Sequence, residues 1–246
     1  MEGDSRSGAA HRGLTTARTA PARVSFLVPA YNEESTIAAL LERVRALPFE
    51  KQIIVVDDGS TDGTPEILTA AAGDDLVVIR QENRGKGAAL RTAIPHADGE
   101  VCVIQDADLE YDPADVPELI QPIVDGLADV VYGSRLSGGR PQRAYLFWHR
   151  VGNRFLSLVA GVLYNTTLTD METGYKAFRT DVLQGLDLRE DGFSIEPEIT
   201  GRICRQHLRI YELPISYYGR TYAEGKKITW RDGFKALWVL LRVRIS

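Results

Sequence analysis

The chain is poor in the residues that would tie it to disulfides, thiolate metal sites or a membrane span. Only two of its 246 residues are cysteine, Cys102 and Cys204, both in apolar contexts and neither at a metal-ligand spacing. That usage fits a reduced, cytosolic compartment. No uninterrupted apolar run approaches the roughly 20 residues needed to cross a bilayer; the longest candidate, residues 155–164, is too short. Basic charge is not in excess, and a net charge of −5 does not suggest a nucleic-acid partner. Three nucleotide or hydrolase signatures are missing. No Gly-x-Gly-x-x-Gly follows the first strand, which argues against a dinucleotide-binding Rossmann domain. The absence of Gly-x-x-x-x-Gly-Lys-Ser/Thr argues against a P-loop NTPase, and that of Gly-x-Ser-x-Gly against an α/β-hydrolase.

What is present is an ordinary globular composition, 44% hydrophobic and 26% charged, in a length that holds one large domain. Residues 1–22 are rich in Ser, Thr, Ala, Gly and Arg without an apolar core, so they are expected to be a disordered tail rather than a signal peptide. Beyond them, apolar runs at 24–28, 53–56, 76–79, 101–104 and 129–133 alternate with helical periodicity, for example Ile37, Leu40, Leu41 and Val44. This alternation predicts an α/β fold with a mostly parallel sheet covered on both faces. Pro29 is expected to close the first strand. Asn32 is expected to cap the first helix, with Glu33 and Glu34 in its first turn. Helices are predicted over 148–164 and 193–207. A short strand should follow the turn at 170–179, and Pro214 should place a strand over 211–218 at a sheet edge.

Five polar clusters fall at the carboxyl ends of predicted strands: Tyr31-Asn-Glu33, Asp57-Asp58, Arg84-Gly-Lys86, Asp106-Ala-Asp108 and Gly133-Ser-Arg135. In an open α/β sheet that edge is where ligands bind, so the clusters should converge. Side chains alternate along a strand, which would aim Asp106 and Asp108 the same way. No basic residue stands beside them in sequence, so a cation is expected between them. A metal-binding acid pair, with further acids placed for ribose and base, suits a nucleoside diphosphate with Mg²⁺ or Mn²⁺.

These residues also carry a resemblance. Val28-Pro-Ala-Tyr-Asn-Glu33, Val55-Val-Asp-Asp-Gly-Ser-Thr-Asp62, Asn83-Arg-Gly-Lys-Gly87 and Asp106-Ala-Asp108 resemble the signature set of family 2 glycosyltransferases with the GT-A fold. Tyr132-Gly-Ser-Arg135, the stretch from Asp170 to Phe178, and Phe193-Ser-Ile-Glu196 resemble the dolichol-phosphate mannosyltransferase branch and its polyprenyl-phosphate relatives. The resemblance implies a GT-A domain over about 23–228 followed by a separate helix at 229–246. It implies a metal-dependent hexosyltransferase using a nucleotide-sugar donor, GDP-mannose or UDP-glucose. Pro29, Tyr31, Glu33, Asp57, Asp58, Lys86 and Asp106 would serve the nucleotide. Asp106 and Asp108 would hold the metal, with Glu110 at the place of a family glutamine as a third ligand. Arg135, Arg150, Arg220, Lys226 and Lys227 would grip an acceptor phosphate, and Asp108 and Arg135 would act in catalysis.

The acceptor decides the mechanism. A phosphate monoester is already anionic at neutral pH and needs no general base. With a soluble sugar, peptide or natural product as acceptor, Glu172 and Glu196 are the candidate bases. A sugar nucleotidyltransferase would carry a Gly-Thr-Arg signature near the first strand, and none is present. Residues 219–246 hold seven basic residues against two acidic, and Trp230, Phe234, Leu237, Trp238, Leu241 and Ile245 recur at helical spacing. Such a helix either lies in a membrane interface or packs as core. The expected location is cytoplasmic, with peripheral attachment at the cytoplasmic face of the membrane if the helix meets lipid.

Overall fold

The computed structural model describes residues 21, 23–140, 143, 147–219 and 230–246; residues 230 and 231 are described for their backbone alone. The expected tail at 1–22 (apart from residue 21) and the basic positions Arg220, Lys226 and Lys227 lie outside the described residues. Seven strands form one sheet: β1 (Val24–Ala30), β2 (Lys51–Asp57), β3 (Leu76–Arg80), β4 (Val101–Ile104), β5 (Val130–Ser134), β6 (Lys176–Arg179) and β7 (Ile210–Pro214). Their order is β3-β2-β1-β4-β6-β5-β7. Neighbours are parallel except that β6 runs antiparallel to both β4 and β5.

The apolar runs become central strands because both sheet faces are covered. On one face Phe26, Val28, Val55 and Val103 pack beneath α1 (Ile37–Arg45), α2 (Thr64–Ala70) and α4 (Val116–Val124). On the other, Leu27, Ile54, Cys102 and Ile104 pack beneath α3 (Lys86–Ala93), α6 (Thr180–Gln184) and α7 (Ile195–Arg205). Alternate residues of one strand thus serve opposite cores, which is why these strands read as continuous apolar runs. A smaller third cluster joins α5 (Phe147–Tyr164) to α8 (Trp230–Ile245) through Leu156, Ala160, Ala236 and Leu240. Both cysteines are free thiols. Among the described residues no helix is long and apolar enough to cross a membrane.

Two local expectations are corrected. Pro29 does not end β1; it pairs in register with Val56, and Ala30 completes the strand. Its missing N–H is tolerated because the β4 ladder stops at Leu27↔Ile104, short of the proline. Asn32 is not a helix cap. The helix begins at Ile37 behind Thr36, with no acid in its first turn. Asn32 adopts a left-handed conformation (φ 54°) and turns its side chain to the neighbouring loop. The expectation that the Pro214 strand lies at an edge holds, since β7 is the last strand of the sheet.

Candidate active site

The loops after β1 and β2 are laced together across the sheet's carboxyl edge. Asn32 N–H donates to Ser60 Oγ (3.0 Å), Thr61 N–H to Asn32 Oδ1 (2.8 Å) and Glu33 N–H to Thr64 Oγ1 (2.9 Å). Glu34 N–H donates to Asp62 Oδ2, and Gly63 N–H returns a bond to Glu34 Oε2 (2.7 Å). Pro29 and Tyr31 sit partly exposed at this edge, and Glu33 is buried beside them. Asp57 is buried at the end of β2, where its Oδ1 accepts from Ser60 N–H (2.9 Å). Its Oδ2 is buried without a hydrogen bond, and Arg80 Nε stands 3.4 Å away. An orphaned acceptor of this kind is suited to a ligand N–H or hydroxyl. Asp58 has different work. Its carboxylate accepts from Gln81 Nε2 (2.7 Å), Arg84 N–H (3.0 Å) and Gly85 N–H (2.7 Å), so it holds the 81–85 loop.

That loop delivers Lys86. Gly85 takes φ 101°, and a Cβ there would meet the Asp191 carbonyl oxygen at 2.7 Å, so the turn into α3 requires glycine. Lys86 Nζ then lies 2.7 Å from Asp106 Oδ1, 3.0 Å from Asp106 Oδ2 and 3.1 Å from Glu196 Oε1. The expectation that Asp106 has no basic partner is therefore corrected: the partner comes from α3, not from the adjacent sequence. Burial works against the Lys86 charge, but Asp106 and Glu196 outweigh it and raise its pKa above the ordinary lysine value. The other oxygen of Glu196 pairs with the fully buried Lys176, whose ammonium also donates to the Thr173 carbonyl and lies 4.8 Å from the Tyr132 ring centroid. Burial lowers the Lys176 pKa despite Glu196, while Lys176 and Lys86 overcome burial to lower that of Glu196. The result is an alternating row, Asp106, Lys86, Glu196, Lys176. Gly174 closes over it: a Cβ there would meet Asp106 Oδ2 at 2.5 Å and Lys86 Nζ at 2.7 Å. Beside the row, Glu172 keeps a buried Oε1 without a hydrogen bond. Burial, then repulsion from Glu196, pushes its carboxyl up to about 7.

Ala107, buried in the core, separates Asp106 from Asp108, and residues 107–110 leave the strand as a turn. Asp108 Oδ1 accepts from Glu110 N–H (3.0 Å). Glu110, the third expected metal ligand, lies two residues beyond Asp108 in the same turn. Leu109 has φ 59°, and Glu110 turns to accept a 2.7 Å bond from the Tyr217 hydroxyl. Among the described residues no group of three or more acidic, histidine or cysteine side chains gathers for a metal. Asp106 and Asp108 supply two carboxylates at the end of β4. That donor set fits a hard cation such as Mg²⁺ or Mn²⁺, which takes one or two carboxylates and completes its shell with substrate phosphates and water.

Arg135 follows β5. Its backbone N–H and Nε both donate to Asp170 Oδ2 (2.9 and 2.7 Å), and Nη2 donates to Asp170 Oδ1 (2.7 Å). Asn153 of α5 adds a 2.6 Å bond to the same carboxylate. Asp170 is fully buried, yet Arg135 keeps its pKa below the usual range. The guanidinium carbon sits 5.2 Å from the Tyr217 ring centroid. Its Nη1 has no partner among the described residues, so one edge of the fork is available to an anion. Arg150 stands exposed near the start of α5, and the helix is tied to the pair through Asn153 rather than through Arg150.

Residues 25–186 match the family model described as glycosyl transferase family 2. The chain belongs to that family. Among its curated relatives, glycosyltransferase AglJ of Haloferax volcanii is 34% identical over 81% of this chain, and the match covers 64% of AglJ; the chain therefore spans less than two thirds of that relative. An undecaprenyl-phosphate mannosyltransferase of Micrococcus luteus is 31% identical, with 91% of this chain and 99% of the relative covered. The fold is GT-A. Glucosyl-3-phosphoglycerate synthase of Mycobacterium tuberculosis, crystallised with Mn²⁺, UDP and glucosyl-3-phosphoglycerate, superposes with a TM-score of 0.71 at 21% identity. That superposition covers 96% of this chain and 86% of the synthase.

The family 2 signatures marked the strand ends, but they left three residues of the site without a part. Lys176, Asp170 and Asn153 are all within it. Because β6 runs backwards, Lys176 lies level with Ile104 and Tyr132, at the carboxyl ends of the parallel strands. The 170–176 segment is carried to the same edge.

Proposed function

We propose that this family 2 protein is an inverting glycosyltransferase that moves a hexose from a nucleoside-diphosphate sugar to a polyprenyl phosphate. The observation that carries the reading is Arg135: a guanidinium fixed by buried Asp170, with Nη1 left over among the described residues, at the end of β5 on the sheet edge where β4 delivers Asp106 and Asp108. The printed name of the Micrococcus relative supports a lipid-phosphate acceptor, and the curated match to AglJ supports a glycosyltransferase. GDP-mannose and UDP-glucose are the donors proposed; the base of either offers an N–H to the orphaned Asp57 oxygen. The site would work at the cytoplasmic face of a membrane.

In this reading Arg135 Nη1 seats the acceptor phosphate, a dianion at neutral pH because its second ionisation lies at about 6. A phosphate oxygen forms a bond to the anomeric carbon from the face opposite the leaving group. The bond from that carbon to the diphosphate oxygen breaks, its electron pair leaves with the nucleoside diphosphate, and the centre inverts. No proton has to be removed from the nucleophile. A divalent cation held by Asp106 and Asp108 would supply charge neutralisation for the departing diphosphate. Lys86 balances the charge of Asp106 when no cation is bound, and Asp57 orients the base.

A second reading keeps the donor and makes the acceptor a soluble hydroxyl. Glu172 favours it, because a carboxyl raised to about 7 with an unpaired oxygen is suited to take a proton at neutral pH. Incubating each donor and Mn²⁺ with short-chain polyprenyl phosphate and, separately, with soluble sugar and phosphoglycerate acceptors tests both. Product with the polyprenyl phosphate is expected. Product with soluble hydroxyl acceptors alone would replace the lipid reading by the second one.

A further inference from the structure

The first turn of α3 is capped by backbone from a distant part of the chain. Gly85 precedes the helix and brings no capping side chain. One of the N–H groups left open at a helix start, that of Ala88, donates instead to the Asp191 carbonyl (3.0 Å). Residues 189–192 therefore lie as a plate against 85–88, and the approach is backbone to backbone. A Cβ at Gly87 would collide with the Glu190 carbonyl oxygen, as one at Gly85 would with that of Asp191. Arg91 of α3 holds the plate through the Arg189 carbonyl (3.0 Å) and the Asp191 carboxylate. With glycines at both points of closest approach, a shift of the plate passes directly to the turn that carries Lys86.

Two carboxylates hold the plate in place. Glu198 of α7, fully buried, accepts from the Arg189 N–H (2.8 Å) and the Glu190 N–H (2.7 Å) with one oxygen, and its other oxygen pairs with Arg202 (3.0 Å). Glu190 is itself buried and turns to α8, where Lys235 Nζ stands 3.0 Å from Oε2 and Arg242 Nη2 2.9 Å from Oε1. Ser194 Oγ also donates to Oε2. Burial opposes the Glu190 charge, but Ser194, Lys235 and Arg242 outweigh it and hold the carboxyl below the usual range. Surface ion pairs contribute little. This one differs because its acid is buried and both of its cations come from one helix. Without them the carboxylate is left uncompensated unless it turns out to water. Glu198 fixes the N–H of residue 190, so that movement falls on its carbonyl, the group that meets Gly87. The plate thus has two arrangements, Glu190 paired inward or solvated outward, and α8 favours the first.

We propose that Glu190 is a positioning residue for the site: locked by Lys235 and Arg242, it holds residues 189–192 on the first turn of α3 and so keeps Lys86 seated on Asp106. Through this lock α8 bears on the strand-end cluster around Asp106. The lock stands on these contacts alone; only its effect on donor affinity rests on the function proposed above.

The test is amide hydrogen exchange of the full chain, read at residues 87–89, with the β1 amides as the measure of global opening. The double variant Lys235→Gln, Arg242→Gln should speed exchange at the Ala88 amide at least about tenfold and leave β1 unchanged. Glu190→Gln removes the same lock from the other side and should match it, which keeps the test open if one variant folds poorly. The pair Lys235→Arg, Arg242→Lys keeps both charges and should restore the parent's protection. Faster exchange confined to α8, or equal acceleration in β1, overturns the proposal. Calorimetry with Mn²⁺ and GDP or UDP supplies the second readout. Affinity for whichever nucleotide the parent binds should fall about threefold to tenfold in the double variant and in Glu190→Gln, and return in the charge-keeping pair. Unchanged affinity in both overturns the positioning role. A parent that binds neither nucleotide would remove the donor assignment instead, and the exchange rates at Ala88 would still decide the lock.

Discussion

Lys86 and Asp106 form a two-point ion pair, with the ammonium 2.7 Å from one carboxylate oxygen and 3.0 Å from the other. The same ammonium reaches Glu196 at 3.1 Å, so it separates two acids that would otherwise face each other. Replacing Lys86 by Met should cost about 3 kcal/mol of stability, read as a lower urea midpoint, because it leaves two largely buried carboxylates uncompensated. Mn²⁺ affinity measured without nucleotide should rise, since Asp106 loses its competing cation. A fall in metal affinity would show that Lys86 supports the metal-binding carboxylates rather than competing with a cation.

Glu172 gives a pH dependence with a definite sign. Its carboxyl is raised to about 7 in the folded chain, first by burial and then by Glu196; Asp170 adds to the rise, while Lys176 and Arg135 oppose it. Against an unfolded value of 4.5, the folded state holds this proton where the unfolded state has released it. The stability it contributes is full below about 4.5 and is lost as pH rises toward 7. Glu172→Gln should therefore flatten the stability profile in that window, a difference on the order of 2–3 kcal/mol by pH 7. Paired urea titrations of parent and variant across that range measure it. A parallel pair of profiles would place the Glu172 carboxyl at its ordinary value.

Arg135→Lys tests the fork. A lysine cannot reproduce the two parallel bonds to Asp170 and still offer a third donor to an anion. Transfer should fall about a hundredfold, roughly the loss of two charge-assisted hydrogen bonds. The thermal shift produced by nucleotide and Mn²⁺ should be kept. Loss of nucleotide binding as well would move Arg135 from the acceptor to the donor side.

Asp57→Asn changes one atom group. The amide can keep the Ser60 bond with its oxygen, but it then presents NH₂ where the buried Oδ2 stood. Nucleotide affinity by calorimetry should weaken about tenfold or more. Metal binding to the apo chain should be unaffected. An unchanged nucleotide affinity would show that Asp57 serves only the turn at Ser60.

The sheet and the strand-end clusters were legible because both follow from local rules: apolar runs alternating with helical periodicity, and polar residues where a strand stops. The pairings were not. Arg135 and Asp170 are 35 residues apart, and Tyr217 reaches Glu110 across 107. Lys176 joins the edge only because β6 runs antiparallel, a direction set by tertiary packing. Asn32 misled because a short polar residue before an apolar helix has the same composition whether it caps the helix or bridges to another loop. The Glu110–Tyr217 contact was hidden because a left-handed Leu109 leaves no mark in the sequence.

The laced loops after β1 and β2 have a thermodynamic consequence. Five side-chain-to-backbone bonds order residues 32–34 and 60–64 in the folded chain itself. The conformational entropy of arranging that wall is lost at folding, not at each encounter with a nucleotide. Donor binding there should thus carry a small ordering term, and heat-capacity change on binding should reflect the area the base covers with little added from loop closure.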